Sequence, residues 1–172
     1  MIEKVNISDF TVLLVCPSVK WSSIERRAIF DCTYLRDIGA NPVLLCYKNT
    51  QIDSEAERED ITRMYIKRKK INPHINLNFV TKLRALIKED RFDIIHCYQL
   101  GHLWTLALLM KSNLKIPLIF TFNQSLNTIY HNNFARWLLR RVDTIFTLSV
   151  EIQDFVKDVF YIAPGKIKNI GC

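Results

Sequence analysis

The chain has 172 residues, 49% of them hydrophobic and 24% charged, which supports one buried core and excludes a disordered, collagen-like or disulfide-stapled chain. Its 24 Lys and Arg against 17 Asp and Glu leave a formal charge of +7, a field that favours an anionic partner such as a phosphorylated sugar donor, an anionic lipid surface, an acidic glycan or a nucleic acid. No uncharged apolar stretch reaches the roughly 18 residues that span a bilayer, and Met1–Phe10 lacks the basic and apolar regions of a secretion signal, so a cytoplasmic location is expected.

Thr11 to Ser18 is a continuous apolar run closed by Pro17 and Ser18, the pattern of a strand buried on both faces. The spacing of Ile24, Ala28, Phe30 to Cys32, Leu35 and Ile38, near one helical face, predicts a helix over 24–38, and Gly39 supplies its stop. Pro42–Tyr47 reads as the second strand, and the polar, acidic stretch Gln51–Asp60 leads to a weaker strand at Met64–Lys67. Leu77–Glu89 reads as helix, Phe92–Tyr98 as strand, Leu103–Lys111 as helix and Pro117–Phe122 as strand. Asn133–Arg141 and Val150–Phe160 are further helices, with strands at Thr144–Ser149 and Lys166–Ile170. Such alternation predicts an α/β, doubly wound, mostly parallel, Rossmann-like sheet in a single domain over 1–172. The joints Arg91-Phe-Asp-Ile-Ile and Arg141-Val-Asp-Thr-Ile place an aspartate just before a strand in both cases, a shared solution for a short αβ loop rather than a repeat.

Ligands of open parallel sheets bind at the carboxyl ends of the strands. That rule selects Ser22 and Ser23 after the first strand, His96, Gln99 and His102 after the fourth, Asn123 and Gln124 after the fifth, and Ser149 and Glu151 after the sixth. All nine can hydrogen-bond hydroxyl groups. No glycine stands between Met1 and Ile38, so the GxGxxG turn of a dinucleotide-binding domain is missing, as are a P-loop and a GxSxG elbow. His96 and His102 lack a third ligand with metal-site spacing, and no CxxC occurs, so no metal site is expected. Cys16, Cys46 and Cys97 sit in apolar runs and read as buried, reduced thiols. Two basic segments border apolar residues, Lys67, Arg68, Lys69 and Lys70 beside Ile66 and Ile71, and Arg136, Arg140 and Arg141 around Trp137. Both are candidates for an anionic or membrane surface, with Trp137 expected to pack in the core.

The order of these pieces resembles the N-terminal domain of family-4, retaining glycosyltransferases of the GT-B fold. The likeness rests on Val12–Ser18 followed by Ser22-Ser-Ile-Glu25 and a helix ending at Asp37-Ile-Gly39, and on the strand Phe92-Asp-Ile-Ile-His96. It extends through Ile116–Asn123, Val142–Ser149 and the closing segment Lys166–Cys172. It implies transfer of a sugar from a nucleotide-sugar, with retention and with no metal or other cofactor, to a glycan or lipid-linked acceptor. It also implies that this half is the acceptor side of a cleft completed by a C-terminal, donor-binding domain. Ser22 and Ser23 stand where the family often has a glycine pair that lets the donor diphosphate approach, and Asn123 where it often has a histidine. An asparagine cannot serve as general base, so another group serves, Asn123 only orients the acceptor, or activity is lost. Asn123 is expected at the sheet's carboxyl edge. The competing reading is a non-catalytic binding or membrane-docking module of the same fold, which fold alone does not separate from an enzyme. No nucleic-acid partner is expected, since no aromatic-interleaved basic strand or helix-turn-helix occurs.

Overall fold

A computed structural model describes residues 6–67, 80–81, 83–85, 92–109, 116–122 and 133–171. In chain order the elements are β1 (Thr11–Val15), α1 (Ser23–Asp37), β2 (Asn41–Tyr47), α2 (Gln51–Arg58), β3 (Thr62–Ile66) and β4 (Ile94–Cys97). These are followed by α3 (Leu100–Leu109), β5 (Leu118–Phe122), α4 (Asn133–Leu139), β6 (Thr144–Thr147), α5 (Val150–Phe160) and β7 (Ile167–Asn169). Residues 80–81 and 83–85 are helical, within the helix expected over Leu77–Glu89, whose other residues lie outside the described ones.

The strands form one seven-stranded sheet in the order β3-β2-β1-β4-β5-β6-β7. The pairs β1–β2, β2–β3, β5–β6 and β6–β7 are parallel. The order turns back between β1 and β4, which makes this the doubly wound, Rossmann-like α/β sheet that the alternation predicts. Two compact units divide the chain, Met1–Ile95 and His96–Cys172.

In the N-terminal unit, Val12 to Cys16 are buried without interruption, the consequence of a strand covered on both faces. Helix α1 ends in a Schellman motif: Ala40 N donates to Leu35 O at 2.9 Å and Gly39 N to Arg36 O at 2.8 Å. Gly39 has φ +94, a conformation that a Cβ disfavours. Helix α2 was not expected, since Gln51–Asp60 reads only as a polar stretch. It closes with the same motif, Ile61 N to Ala56 O at 2.9 Å and Asp60 N to Glu57 O at 3.1 Å. Here Asp60, at φ 52, takes the place a glycine would announce. One of its three inward positions is charged as well. Asp53 is buried and accepts from Asn49 N at 2.8 Å, Tyr65 Oη at 3.0 Å and Arg63 Nη1 at 3.3 Å, partners that offset its desolvation.

In the C-terminal unit Phe122 packs its ring, tilted, against Phe155 and Phe160 of α5, with centroids 6.5 and 6.1 Å apart. The reduced cysteines are buried as expected. Burial pushes the Cys46 and Cys97 thiols up to about 12.

The two aspartates before β4 and β6 perform one task. Asp93 N donates to Thr11 O at 2.9 Å while its Oδ2 accepts from Thr11 N at 2.8 Å. Asp143 N donates to Leu118 O at 2.9 Å while its Oδ2 accepts from Leu118 N at 2.8 Å. Each aspartate clasps the first residue of another strand at both its donor and its acceptor. Asp143→Ala is expected to lower unfolding stability by about 1–3 kcal/mol, the range for losing a hydrogen bond to a charged group, and Asp143→Asn by less because its carbonyl oxygen still accepts. Denaturant titration checks this; equal losses for the two variants would refute the clasp.

Candidate functional site

At the carboxyl end of β1 the chain turns through Cys16 to Trp21 into α1. Ser22 is the N-cap, with φ −138 and ψ −170, an extended backbone open to any residue, so the position does not need glycine for its conformation. Ser22 and Glu25 form a capping box: Ser22 N and Oγ donate to Glu25 Oε2 at 2.8 and 2.6 Å, and Ser22 Oγ accepts from Ile24 N at 3.4 Å. The Ser22 hydroxyl has one proton and gives it to Glu25. Ser23, the first residue of α1, is exposed.

Glu25 is buried, with 2% of its surface exposed, so it must hold its charge by donated hydrogen bonds or give it up. Burial by itself raises the carboxyl, but donation from the Ser22 and Ser18 hydroxyls, with the backbone N–H groups of Glu25 and Ser22, outweighs it and holds the group below 4.5. Ser18 Oγ in turn accepts from Lys20 N at 3.1 Å. The β1–α1 turn is therefore organised around one ionised, buried carboxylate. It was not singled out as a site residue, although a Ser three positions before a Glu is the capping-box signature.

In the C-terminal unit, β4 ends in His96 and Cys97. His96 is buried with 5% exposure, and its two ring nitrogens meet protein hydroxyls, Nε2 with Thr121 Oγ1 at 2.7 Å and Nδ1 with Tyr98 Oη at 3.0 Å. The Tyr98 ring lies 4.2 Å from the imidazole and Phe146 meets it edge-on at 5.6 Å. Thr121 and Phe146 are register partners on β5 and β6, so one sheet face supplies both contacts. His96 is a core histidine whose hydrogen bonds are met by the protein. Tyr98, Thr121 and Phe146 complete its surroundings, and their distance in sequence hid the arrangement.

Gln99 and His102 are half-buried at the start of α3, where the Gln99 carbonyl accepts from His102 N and Leu103 N at 3.0 and 3.1 Å. Ser149 is the N-cap of α5 and accepts from Ile152 N at 3.3 Å. Glu151 is exposed beside it, its carboxyl held below 4.5 by the Ser149 hydroxyl and its own backbone N–H. Thr147, fully buried at the end of β6, has a hydroxyl with no hydrogen-bond partner among the described residues. A Cβ on Gly171 would lie 2.4 Å from the Leu148 carbonyl oxygen, so only glycine lets the chain pass this close to the end of β6. Asn123, Gln124, Arg68, Lys69 and Lys70 lie outside the described residues. Lys67 is exposed at the end of β3.

Trp137 is not core. It is half-exposed on α4, stacked on Phe134 at 5.9 Å and covered by the Arg141 guanidinium at 4.1 Å. The inward positions of the helix are taken by Ala135, Leu138 and Leu139.

The sequence matches Glycosyltransferase Family 4 over residues 24–172. The chain belongs to that family. No curated protein matches it in sequence. In structure it is similar to a glycosyltransferase from Rickettsia africae, at 22% identity and TM-score 0.74 over 94% of this chain and 42% of that one. The Anabaena protein HepE, solved with UDP and glucose, is similar at 16% identity and TM-score 0.74 over 93% and 44%. MurG of Acinetobacter baumannii follows at 12% and 0.65 over 94% and 45%. This family-4 chain therefore has the Rossmann-like fold of these proteins and spans less than half of their length.

The Glu25 shift fixes a pH dependence. A carboxyl lowered on folding contributes stability that is present above its unfolded value and is lost as pH falls through the folded value. Glu25→Gln should therefore be less stable than the parent at neutral pH, by about 1–3 kcal/mol, with the gap closing as pH falls below 4.5. Thermal unfolding of both proteins across that range checks the sign; a gap that widens in acid would overturn the assignment.

Proposed function

We propose that this chain is the acceptor-side half of a retaining glycosyltransferase, which moves a sugar from a nucleotide-sugar to a glycan or lipid-linked acceptor without a metal or other cofactor. The observation that carries the reading is the family match over residues 24–172. The HepE structure, with UDP and glucose, supports a uridine diphosphate sugar as donor. A second α/β half, C-terminal to this one, would hold the donor nucleotide.

Within this reading the polar groups at the strand ends divide by what the protein already asks of them. Ser22, Ser149 and His96 position: the first two start helices, and His96 braces the ends of β4 and β5 through Thr121. Ser23, Gln99, His102, Asn123, Gln124 and Glu151 are the groups assigned to substrate. Ser23, two residues before the buried carboxylate, sits where N–H groups at the start of α1 favour an anionic diphosphate. A peripheral place at the cytoplasmic face of an anionic membrane, with Lys67 to Lys70 and Arg136, Arg140 and Arg141 toward the lipid, would bring the enzyme to a lipid-linked acceptor.

The protein carrying both halves, incubated with a panel of uridine diphosphate sugars, is expected to release UDP with at least one of them. A folded protein that neither binds nor turns over any nucleotide-sugar would overturn the proposal. Residues 1–172 alone are expected to unfold cooperatively and to transfer no sugar. In the two-half protein Asn123→Ala should lower turnover with little change in melting temperature if Asn123 touches acceptor or donor. A capping role would instead cost about 1 kcal/mol of stability and leave the rate unchanged.

A further inference from the structure

Two sets of exposed aromatic side chains stand out, and their charges differ. On α1, Phe30, Tyr34 and Ile38 are exposed at successive turns, with Phe30 and Tyr34 stacked at 6.5 Å. The charges of that helix are balanced, Glu25, Asp31 and Asp37 against Arg26, Arg27 and Arg36, and two pairs are made along it, Arg27 with Asp31 and Arg36 with Asp37. Nothing about that stripe selects an anion.

Helix α4 differs. With about 3.6 residues per turn, carried one step past the helix by the Arg140 N bond to Arg136 O at 3.1 Å, Arg136, Trp137 and Phe134 with the following turn residues Arg140 and Arg141 fall on the outward arc, opposite the buried Ala135, Leu138 and Leu139. Phe134 is 54% exposed and Tyr161, at the end of α5, 67%. The Arg136 guanidinium lies over the Tyr161 ring at 4.5 Å, as Arg141 does over Trp137. None of these three arginines has an ion pair among the described residues. The Arg136 side chain is also tied to the Val159 carbonyl at 3.4 Å, which holds it on the patch. The result is an arc of three cations, two of them laid over aromatic rings, with no ion-paired acid among the described residues.

We infer that Phe134, Trp137 and Tyr161, with Arg136, Arg140 and Arg141, form the face by which this protein docks on an anionic lipid bilayer. Aromatic rings with one polar edge are stable at the depth of lipid headgroups, and arginines beside them pair with headgroup phosphates while leaving their stems on apolar surface. A soluble polyanion would use the arginines but has no need of an exposed Phe134. The inference deepens the peripheral-membrane reading above and is independent of the sugar-transfer reading, which nucleotide-sugar turnover in solution tests separately.

The test is sedimentation of the protein with vesicles of phosphatidylcholine alone or mixed with about a third phosphatidylglycerol, at low and high salt. Binding is expected only to the mixed vesicles, fading toward 1 M salt as the Debye length shortens to about 3 Å. Arg136→Gln/Arg140→Gln/Arg141→Gln should weaken it by at least about tenfold. Removing the same number of charges at the exposed Lys20, Lys48 and Lys168 should weaken it far less. Phe134→Ser/Tyr161→Ser, which removes two exposed rings, should weaken it while the melting temperature stays unchanged. Fluorescence quenching by brominated lipid should be lost in Trp137→Phe, which keeps an aromatic ring. The inference is overturned if the parent ignores anionic vesicles, if the lysine and arginine variants bind alike, or if the aromatic variants bind as the parent does. It is equally overturned if the face instead mediates self-association, lost in the same variants, or binds free polyphosphate independently of its rings.

Discussion

Where a strand begins decides which of its side chains reach the carboxyl edge, and in this fold two aspartates fix that start. Asp93 and Asp143 each hold one residue of another strand, Thr11 and Leu118, by a reciprocal pair of 2.8 and 2.9 Å hydrogen bonds. A parallel strand slipped by one residue would turn every side chain to the opposite face. With Asp143 set against Leu118, the rungs that follow bring Phe146 opposite Thr121, and those two residues build the wall around His96. The geometry of the site thus follows from a contact made at the far end of the strands.

At the carboxyl edge the sheet presents many polar groups, but the fold itself employs much of this polarity. Ser22 and Ser149 start helices, Glu25 is the buried anion around which the first turn closes, and His96 spends both nitrogens on neighbouring hydroxyls. Leaving a buried donor or acceptor unmet costs about 1–3 kcal/mol each, comparable to a large part of a domain's net stability. These groups are therefore poorly suited to be surrendered to a substrate. They are suited to hold their neighbours still, and fixed neighbours are what catalysis by orientation requires. Gly171 belongs to the same logic, because the approach of its backbone to the Leu148 carbonyl ties the end of β6 to the segment after β7.

The sheet was legible because buried parallel strands leave continuous apolar runs, and Val12–Cys16, Pro42–Tyr47 and Pro117–Phe120 each stand as one. The joint aspartates were legible as a pair, though not their partners, which are 82 and 25 residues away. Helix α2 was not legible: its stop is Asp60 in a left-handed conformation rather than glycine, and a charged Asp53 occupies one inward position, so neither boundary nor periodicity announces it. The His96 arrangement was hidden for another reason. Its partners come from two other strands and a loop, and a single sequence carries no sign of which strands will be neighbours. Trp137 was misjudged because an aromatic residue at helical spacing is usually core; its side of α4 is the outward one, with alanine and leucines taking the inner positions.

The uneven use of charge along the chain bears on how a sheet of this kind meets its surroundings. Before residue 96, four of the six described arginines, Arg27, Arg36, Arg58 and Arg63, pair with carboxylates. From residue 96 onward eight Lys and Arg face four Asp and Glu, and one of those acids, Asp143, is already engaged with a strand. An exposed ion pair contributes about 0–1 kcal/mol, so pairing Arg136, Arg140 and Arg141 would have added little to stability. Leaving them unpaired costs equally little and keeps a positive field outside the fold. Rings beneath the Arg136 and Arg141 guanidiniums hold those two charges at the surface in a fixed arrangement. A solvated, flexible lysine patch of the same charge would have to be ordered anew in each encounter, at an entropic cost of about 0.5–1.5 kcal/mol per side chain.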